Sequence, residues 1–450
     1  MTRDLTVGKP YKVIIGFAVP ILLGNLLQQF YSIVDTVIVG QFIGLEALAG
    51  VGSTGALNYF ILGFVVGTCT GFAIPIAQSY GAKNYSDLKK YYTHSIYLGA
   101  VISLIFTVVT LMFLDDILYL MNTNDEMFPY AKSYIATIFA GIFGSCLYNL
   151  MASVLRAVGD SKTPLYFLIG SAISNIVLDL LFVIVFNWGV FGTAFATVIS
   201  QTTAGVLCII LINKKFEILK TNKENWQFDA KIFKKLIIMG VPMGLQCSIT
   251  ALGIIILQAA INTLGTIYVA AITAGEKFNG FAMNMLETLG LSMATFAGQN
   301  LGAGKIERIN KGLKQSLLMG FAYSIVLFVL FYFTSDYLSL ILVSPEETEV
   351  IANIRIFLLI ESGAYIINAM LHIFRNTVQG LGFSGVAMFA GVMELIARVV
   401  IAFGFVSSFG YVAAVLSEPI AWIAAVAFLV PAYYIIMRKL RKKHLNLLSQ

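Results

Sequence analysis

The sequence predicts an all-α polytopic membrane protein, with twelve transmembrane helices arranged as two pseudo-symmetric six-helix lobes. Three observations carry the prediction. Hydrophobic residues make up 58% of the 450 and charged residues 12%, against about 45–50% and about 25% in a soluble domain. The apolar residues fall in twelve long runs, and a backbone in lipid can satisfy its polar groups only as a helix or a closed barrel. A barrel would alternate in segments of about ten residues, so the runs are helices. Finally, the motifs of the first half recur in the second at a nearly constant spacing.

In chain order the runs cover residues 13–42, 47–79, 95–114, 128–155, 165–186, 190–212, 233–261, 267–296, 313–333, 350–374, 384–406 and 411–437. The first run is too long for the apolar stretch of a signal peptide and no small-residue cleavage site follows it, so no cleavable leader is expected. With the N-terminus inside, the inner segments hold 25 of the 29 Lys and Arg residues, among them Lys214, Lys215, Lys220, Lys223, Arg375 and the tail Arg438 to Lys443. The outer segments hold Asp115, Asp116, Asp125, Glu126, Asp336, Glu346, Glu347 and Glu349. Both termini are therefore expected in the cytoplasm, with the chain in the cell membrane. The net charge of +6 expresses topology and attraction to lipid headgroups, and implies no nucleic-acid partner.

The longest polar stretch separates an N-lobe (1–213) from a C-lobe with a basic cytoplasmic tail (233–450), leaving 214–232 as a cytoplasmic linker. Pro20 and Pro242 open spans 1 and 7 and lie 222 residues apart. Gln78-Ser-Tyr-Gly-Ala and Gln299-Asn-Leu-Gly-Ala close spans 2 and 8 at a separation of 221, as do Gly189 and Gly410 before spans 6 and 12. Six spans per half relate the halves by an axis along the membrane normal, the plan of transporters that rock one half against the other. Pro20 and Pro242 each remove a helical hydrogen bond and are expected to bend spans 1 and 7, marking candidate hinges.

Charges inside such spans single out candidate functional residues, because a carboxylate in hydrocarbon costs at least about 2.5 kcal/mol unless it faces a polar cavity. Asp35 has no charged neighbour in span 1. Asn175 and Asp179 in span 5 are four apart and share a helix face. Asn149 in span 4 and Thr197 in span 6 could complete a first-lobe network with them, in which neighbouring donors decide which protonation state wins. In the second lobe Glu276, Glu361 and Asn368 are candidate cleft residues. Glu394 and Arg398, four apart, form at their simplest an intrahelical ion pair.

Other chemistry is excluded. Gly159-Asp-Ser-Lys-Thr163 lacks the glycine directly before lysine that a phosphate loop needs, so no ATPase is indicated. His94, His372 and His444 have no metal-ligand spacing, and no Gly-x-Ser-x-Gly elbow occurs. Cys69, Cys146, Cys208 and Cys247 fall inside spans at unrelated spacings and read as packing residues. No enzyme, cofactor or metal site is expected.

Taken together, Pro20 followed by Asp35, the two Gln-x-x-Gly-Ala closures, Arg156-Ala-Val-Gly-Asp-Ser-Lys-Thr-Pro164, Asn175 with Asp179, and Gln379-Gly-Leu-Gly382 resemble the multidrug and toxic compound extrusion (MATE) family over essentially the whole chain. The resemblance implies two lobes around a central cleft and antiport of amphipathic, often cationic compounds against H+ or Na+. It places Asp35, Asn149, Asn175, Asp179 and Thr197 where DinF-like and archaeal members keep a proton network. Sodium-coupled NorM-type members have a glutamate where this chain has Thr250 and an aspartate where it has Asn368, so proton coupling is expected first. Sodium coupling at the first-lobe acids and a lipid-linked saccharide flippase are the alternatives, and a monomer is expected.

Overall fold

The computed structural model describes residues 3–121 and 123–448. Among the described residues every regular element is helical: α1 Pro10–Phe42, α2 Leu45–Ser53, α3 Gly55–Gly81, α4 Tyr85–Met112, α5 Leu114–Leu120, α6 Phe128–Ala140, α7 Ile142–Ala157, α8 Lys162–Leu180, α9 Gly189–Lys215, α10 Ala230–Asn262, α11 Thr266–Gly302, α12 Ile306–Ser339, α13 Thr348–Gly380, α14 Ser384–Gly404 and α15 Val406–Leu448. Ten helices are long and apolar enough to cross a membrane, and α6 with α7 form an eleventh span bent by 49°. The 37-residue α11, which carries Glu276, Lys277 and Glu287 within its length, is the twelfth long element and falls outside that set.

Several edges differ from the sequence reading for local reasons. The second run is broken at Thr54, so α2 precedes α3 as a separate short helix. The third helix begins ten residues before its apolar run, because Asn84 caps it by accepting from the Asp87 N–H. The fourth breaks at Gly141, where a Cβ would collide with Val198 of α9.

The backbone repeats where the motifs repeat. Left-handed residues punctuate both halves at matching places: Gly44 and Gly265, Lys83 and Gly304, Gly159 and Gly382, Gly189 and Gly410. Three of these pairs are 221 residues apart and the fourth 223. Each marks a helix start or end, or in the case of Gly410 a kink within α15, that needs a positive φ, which glycine adopts at no steric cost.

Two compact units follow, with boundaries unlike the expected 1–213 and 233–450. One comprises residues 1–4 and 19–244, the other residues 5–18 and 245–450. Helices α1 and α10 each pass from one unit to the other within three residues of their proline, Pro20 and Pro242, while remaining continuous through it. The physical reason lies in the flanking contacts. In the first unit α10 approaches α3 so closely that a Cβ on Gly71 would lie 2.6 Å from the Gly240 Cα, and Leu236 is fully buried in that unit's core. In the second, the Leu5 and Tyr11 N–H groups donate to Gln299 Oε1 and Gln315 Oε1 at 3.0 and 2.8 Å.

Within the first unit α7 packs on α3, α4 and α9, around buried Phe72, Phe139 and Met151. Within the second, α13 packs on α11, α12, α14 and α15. The fourth span of each half is thus the central one. The linker is ordered against α4: Thr93 Oγ1 donates to the Asn225 carbonyl at 2.6 Å, and the Asp229 N–H donates to His94 Nε2 at 2.9 Å.

Candidate functional site

The first-lobe site is built where α1 and α8 run side by side. A Cβ on Gly24 of α1 would meet Leu168 and Leu165 of α8 at 3.4 and 3.8 Å. As first and fifth spans the two helices run in the same direction. Asp35 lies eleven residues beyond Gly24, and Asp179 eleven beyond Leu168. Three turns, about 16 Å along each axis, therefore carry that contact up to the two acids. There the carboxyl groups of Asp35 and Asp179 become direct neighbours.

Asp179 is fully buried and Asn175 nearly so. Asn175 Nδ2 donates to Thr197 Oγ1 of α9 at 3.3 Å, and that hydroxyl donates to the Thr193 carbonyl at 3.2 Å. Both oxygens of Asp179 and Oδ1 of Asp35 are buried with no hydrogen-bond partner among the described residues, as is Asn175 Oδ1. Two bare carboxylates cannot hydrogen-bond each other; the contact becomes favourable only when one of them carries a proton to donate.

Asn149 does not join this group. Its Nδ2 donates to the Ser145 carbonyl of its own helix at 2.9 Å and reaches Ser145 Oγ at 3.5 Å. A mid-helix amide bonded four residues back is locally satisfied, and both of these contacts go to its own helix and not to the acids. Tyr31, Gln201 and Tyr134 stand in its place: Tyr31 lies against Gln28 and Gln201 and within electrostatic range of Asp35, and Tyr134 within range of both acids. Tyr31 precedes Asp35 by four residues and Gln201 follows Thr197 by four, so helical spacing held a signal for both. For Tyr134 it held none. Directly after Asp179 the chain makes a π-helical turn, Leu181–Val185, a wider winding that often accompanies functional positions.

The second unit gathers a different cluster. Glu276, Glu361 and Glu418 act on one another electrostatically and on Arg398. Glu361 is fully buried with neither oxygen hydrogen-bonded among the described residues, while the Tyr365 hydroxyl donates to Asn279 Oδ1 at 2.6 Å. Asn368 lies two turns along α13 from Glu361, buried, with no partner among the described residues for either amide atom. Arg398 is not simply the partner of Glu394. It binds Glu418 with two contacts of 2.8 Å and reaches Glu394 at 3.4 Å, and Glu394 in turn pairs with Arg375. Arg375, expected among the inner-loop cations, is a buried residue of α13.

The loop that failed as a phosphate motif has a structural task. Asp160 Oδ1 accepts from the Lys162 and Thr163 N–H groups at 3.0 Å each, and Oδ2 from Thr163 Oγ1 at 2.7 Å, capping α8. Gly159 precedes it at φ +87°, where a Cβ would strike the Arg3 carbonyl.

The family model for MatE matches the chain twice, over residues 20–181 and 242–404. The chain belongs to the MATE family. Both matches begin at the proline of a unit-crossing helix, so the duplication and the family assignment rest on the same residues. Members are integral membrane transporters, which makes this chain a transporter and not an enzyme. The chain is 29% identical to the probable multidrug resistance protein YoeA of Bacillus subtilis, across 81% of this chain and 80% of that one. It is 24% identical to the FAD transporter of Shewanella oneidensis, across 75% and 76%. Its fold matches that of an outward-facing multidrug resistance MATE transporter of the MOP superfamily with a TM-score of 0.91, at 19% identity over 98% of this chain and 99% of that one.

Proposed function

We propose that this MATE-family chain is a proton-coupled antiporter of the cell membrane, both termini cytoplasmic, which exports amphipathic and often cationic small molecules by alternating access. The observation that carries the reading is the Asp35–Asp179 pair within one unit, Asp179 fully buried and Asp35 half-buried, with no hydrogen-bond partner among the described residues for either oxygen of Asp179 or for Oδ1 of Asp35. Such a pair holds one negative charge between its carboxyls far more readily than two. A proton entering the pair cancels the charge that would hold a cation, so proton and cationic cargo displace one another. Asn175 and Thr197 fix the geometry around Asp179 from α8 and α9. The name of the Bacillus subtilis relative supports drug-like cargo, and the concentration of Lys and Arg in one set of connecting segments and the C-terminal tail supports the orientation. We also propose that the protein works as a monomer.

The test is pH-driven efflux of a cationic dye from everted vesicles. Asp35→Asn should abolish it; a variant that still exports in response to a pH gradient would sink the proposal. One observation favours a second reading. The unpartnered oxygens of Asp179 and Asn175 are hard donors of the kind that sodium takes. Proteoliposomes given separate proton and sodium gradients decide between the two, because efflux driven by sodium alone at constant pH would replace proton coupling.

A further inference from the structure

Within the second unit, on the face where both ends of the chain come together, a cavity of about 850 Å³ opens between the segment Gly8–Pro10, the start of α12 and the end of α15. Lys9, Lys305, Arg308, Lys311, Arg441 and His444 line it, against a single carboxylate, Glu307. A second cavity of about 590 Å³ shares Glu307, Lys311, Arg441 and Leu445 with the first and adds Lys314, Arg438, Lys442 and Tyr434. The two cavities adjoin at those four residues and together make a cationic groove.

Its shape is built. Arg308 donates to the Gly8, Leu5 and Val7 carbonyls at 2.6, 3.2 and 3.0 Å, and Lys305 Nζ to the Thr6 carbonyl at 2.9 Å. These bonds pin the N-terminal wall, and the carbonyl that Lys305 meets cancels none of its charge. Glu307 is committed to Arg441 at 2.9 Å. Among the described residues no carboxylate pairs with Lys9, Lys311, Lys314, Arg438 or Lys442. The positive-inside tendency accounts for charge at this level but needs no concave site to express it.

We propose that this groove binds the phosphodiester headgroup of an anionic phospholipid. Charge complementarity selects the phosphate, and position selects the lipid over a free phosphate. The groove lies at the ends of two membrane-spanning helices, α12 and α15, where Tyr434, 61% exposed, and the exposed Ile435 beside it offer the aromatic and apolar surface that suits a headgroup interface. Exposed Leu318 lies one turn along α12 from Lys314. Basic pockets of this kind between membrane helices hold phosphate headgroups, at about 1 kcal/mol per cation.

The test uses the full chain in detergent, titrated with phosphatidylglycerol or phosphatidylcholine and read by native mass spectrometry. Phosphatidylglycerol should be retained preferentially, with about fivefold weaker binding for Lys311→Gln or Arg438→Gln and about twenty-five-fold weaker for the pair. Lys311→Arg and Arg438→Lys should keep it. Should the paired variant not fold, Lys9→Gln with Lys314→Gln provides the same comparison. Equal retention of the two lipids, or unchanged binding after the cations are removed, overturns the proposal. So does displacement of phosphatidylglycerol by inorganic phosphate at matched concentration, which would make this a soluble-phosphate site.

Discussion

Arg398 illustrates what a single buried charge does in this protein. Its guanidinium links Glu418 of α15 to Glu394 of α14, and Glu394 passes the chain of charge on to Arg375 of α13, giving two cations and two anions in sequence. Arg398→Met would leave the half-buried Glu418 without its cation and within electrostatic range of two other acids, Glu276 and Glu361. A buried pair broken on one side costs about 3–5 kcal/mol, whereas removing both partners is often near neutral. The single variant should therefore show a large fall in melting temperature in detergent, and Arg398→Met with Glu418→Met should recover at least half of it. A double variant no better than the single one would refute the pairing. The sequence held Glu394 and Arg398 at helical spacing, but spacing along one helix cannot report that a second helix offers a better partner. The same limit explains Asn149, which helical position aimed at the first-lobe acids and local back-bonding withheld from them. Asp35, Asn175 and Asp179 were legible because an apolar run makes any charge conspicuous and a four-residue step needs no tertiary knowledge.

At the scale of elements, most helices were readable from hydropathy, and their exceptions were decided by caps and close contacts that hydropathy does not sense. The linker is the clearest case, since its polarity marks a connection between the lobes and gives no sign of an anchor. Instead it is fastened to α4 through His94, Thr93 and Asp229. The partners assign the imidazole its tautomer: Nδ1–H donates to the Lys90 carbonyl at 2.8 Å, and Nε2 accepts from the Asp229 N–H. The Asp229 carboxylate in turn accepts from the Ile232 and Lys231 N–H groups at the start of α10. Those amides, the Ile232 N–H foremost, with Lys90 adding its charge, hold the Asp229 carboxyl below its ordinary value of 3.8. A group held lower in the folded state contributes stability above its unfolded pKa and loses it as the pH falls through the folded value. Trypsin should cut at Lys220 and Lys223 faster in Asp229→Ala than in the parent protein at neutral pH. That excess should be constant above pH 3.8 and be lost below it, as scored by hydrogen exchange of residues 217–229 where trypsin is inactive. An excess that persists at low pH would show that the carboxylate is not what fastens the linker.

For the whole molecule, duplication was legible in both the motifs and their spacing, but the units were not. A sequence reading places a boundary in the longest polar stretch, while compactness follows contacts, and here two helices contribute their ends to opposite units. Residues 230–244 complete the first unit through the Gly71–Gly240 approach and the buried Leu236. In a membrane, where apolar burial alone gives helices little reason to associate, such small-residue contacts carry much of the packing. The consequence can be tested by dividing the chain inside the linker. A tagged fragment of residues 1–229 should co-purify with a co-expressed fragment of residues 230–450, because the second supplies the missing wall of the first unit. Starting the second fragment at residue 245 removes that wall and should reduce recovery severalfold. Gly240→Leu in the longer fragment should do the same, since its side chain would have to occupy the space of Phe72 and Thr68. Equal recovery with all three partners would mean that the first unit closes without α10, and that the handover at Pro242 has no part in holding the protein together.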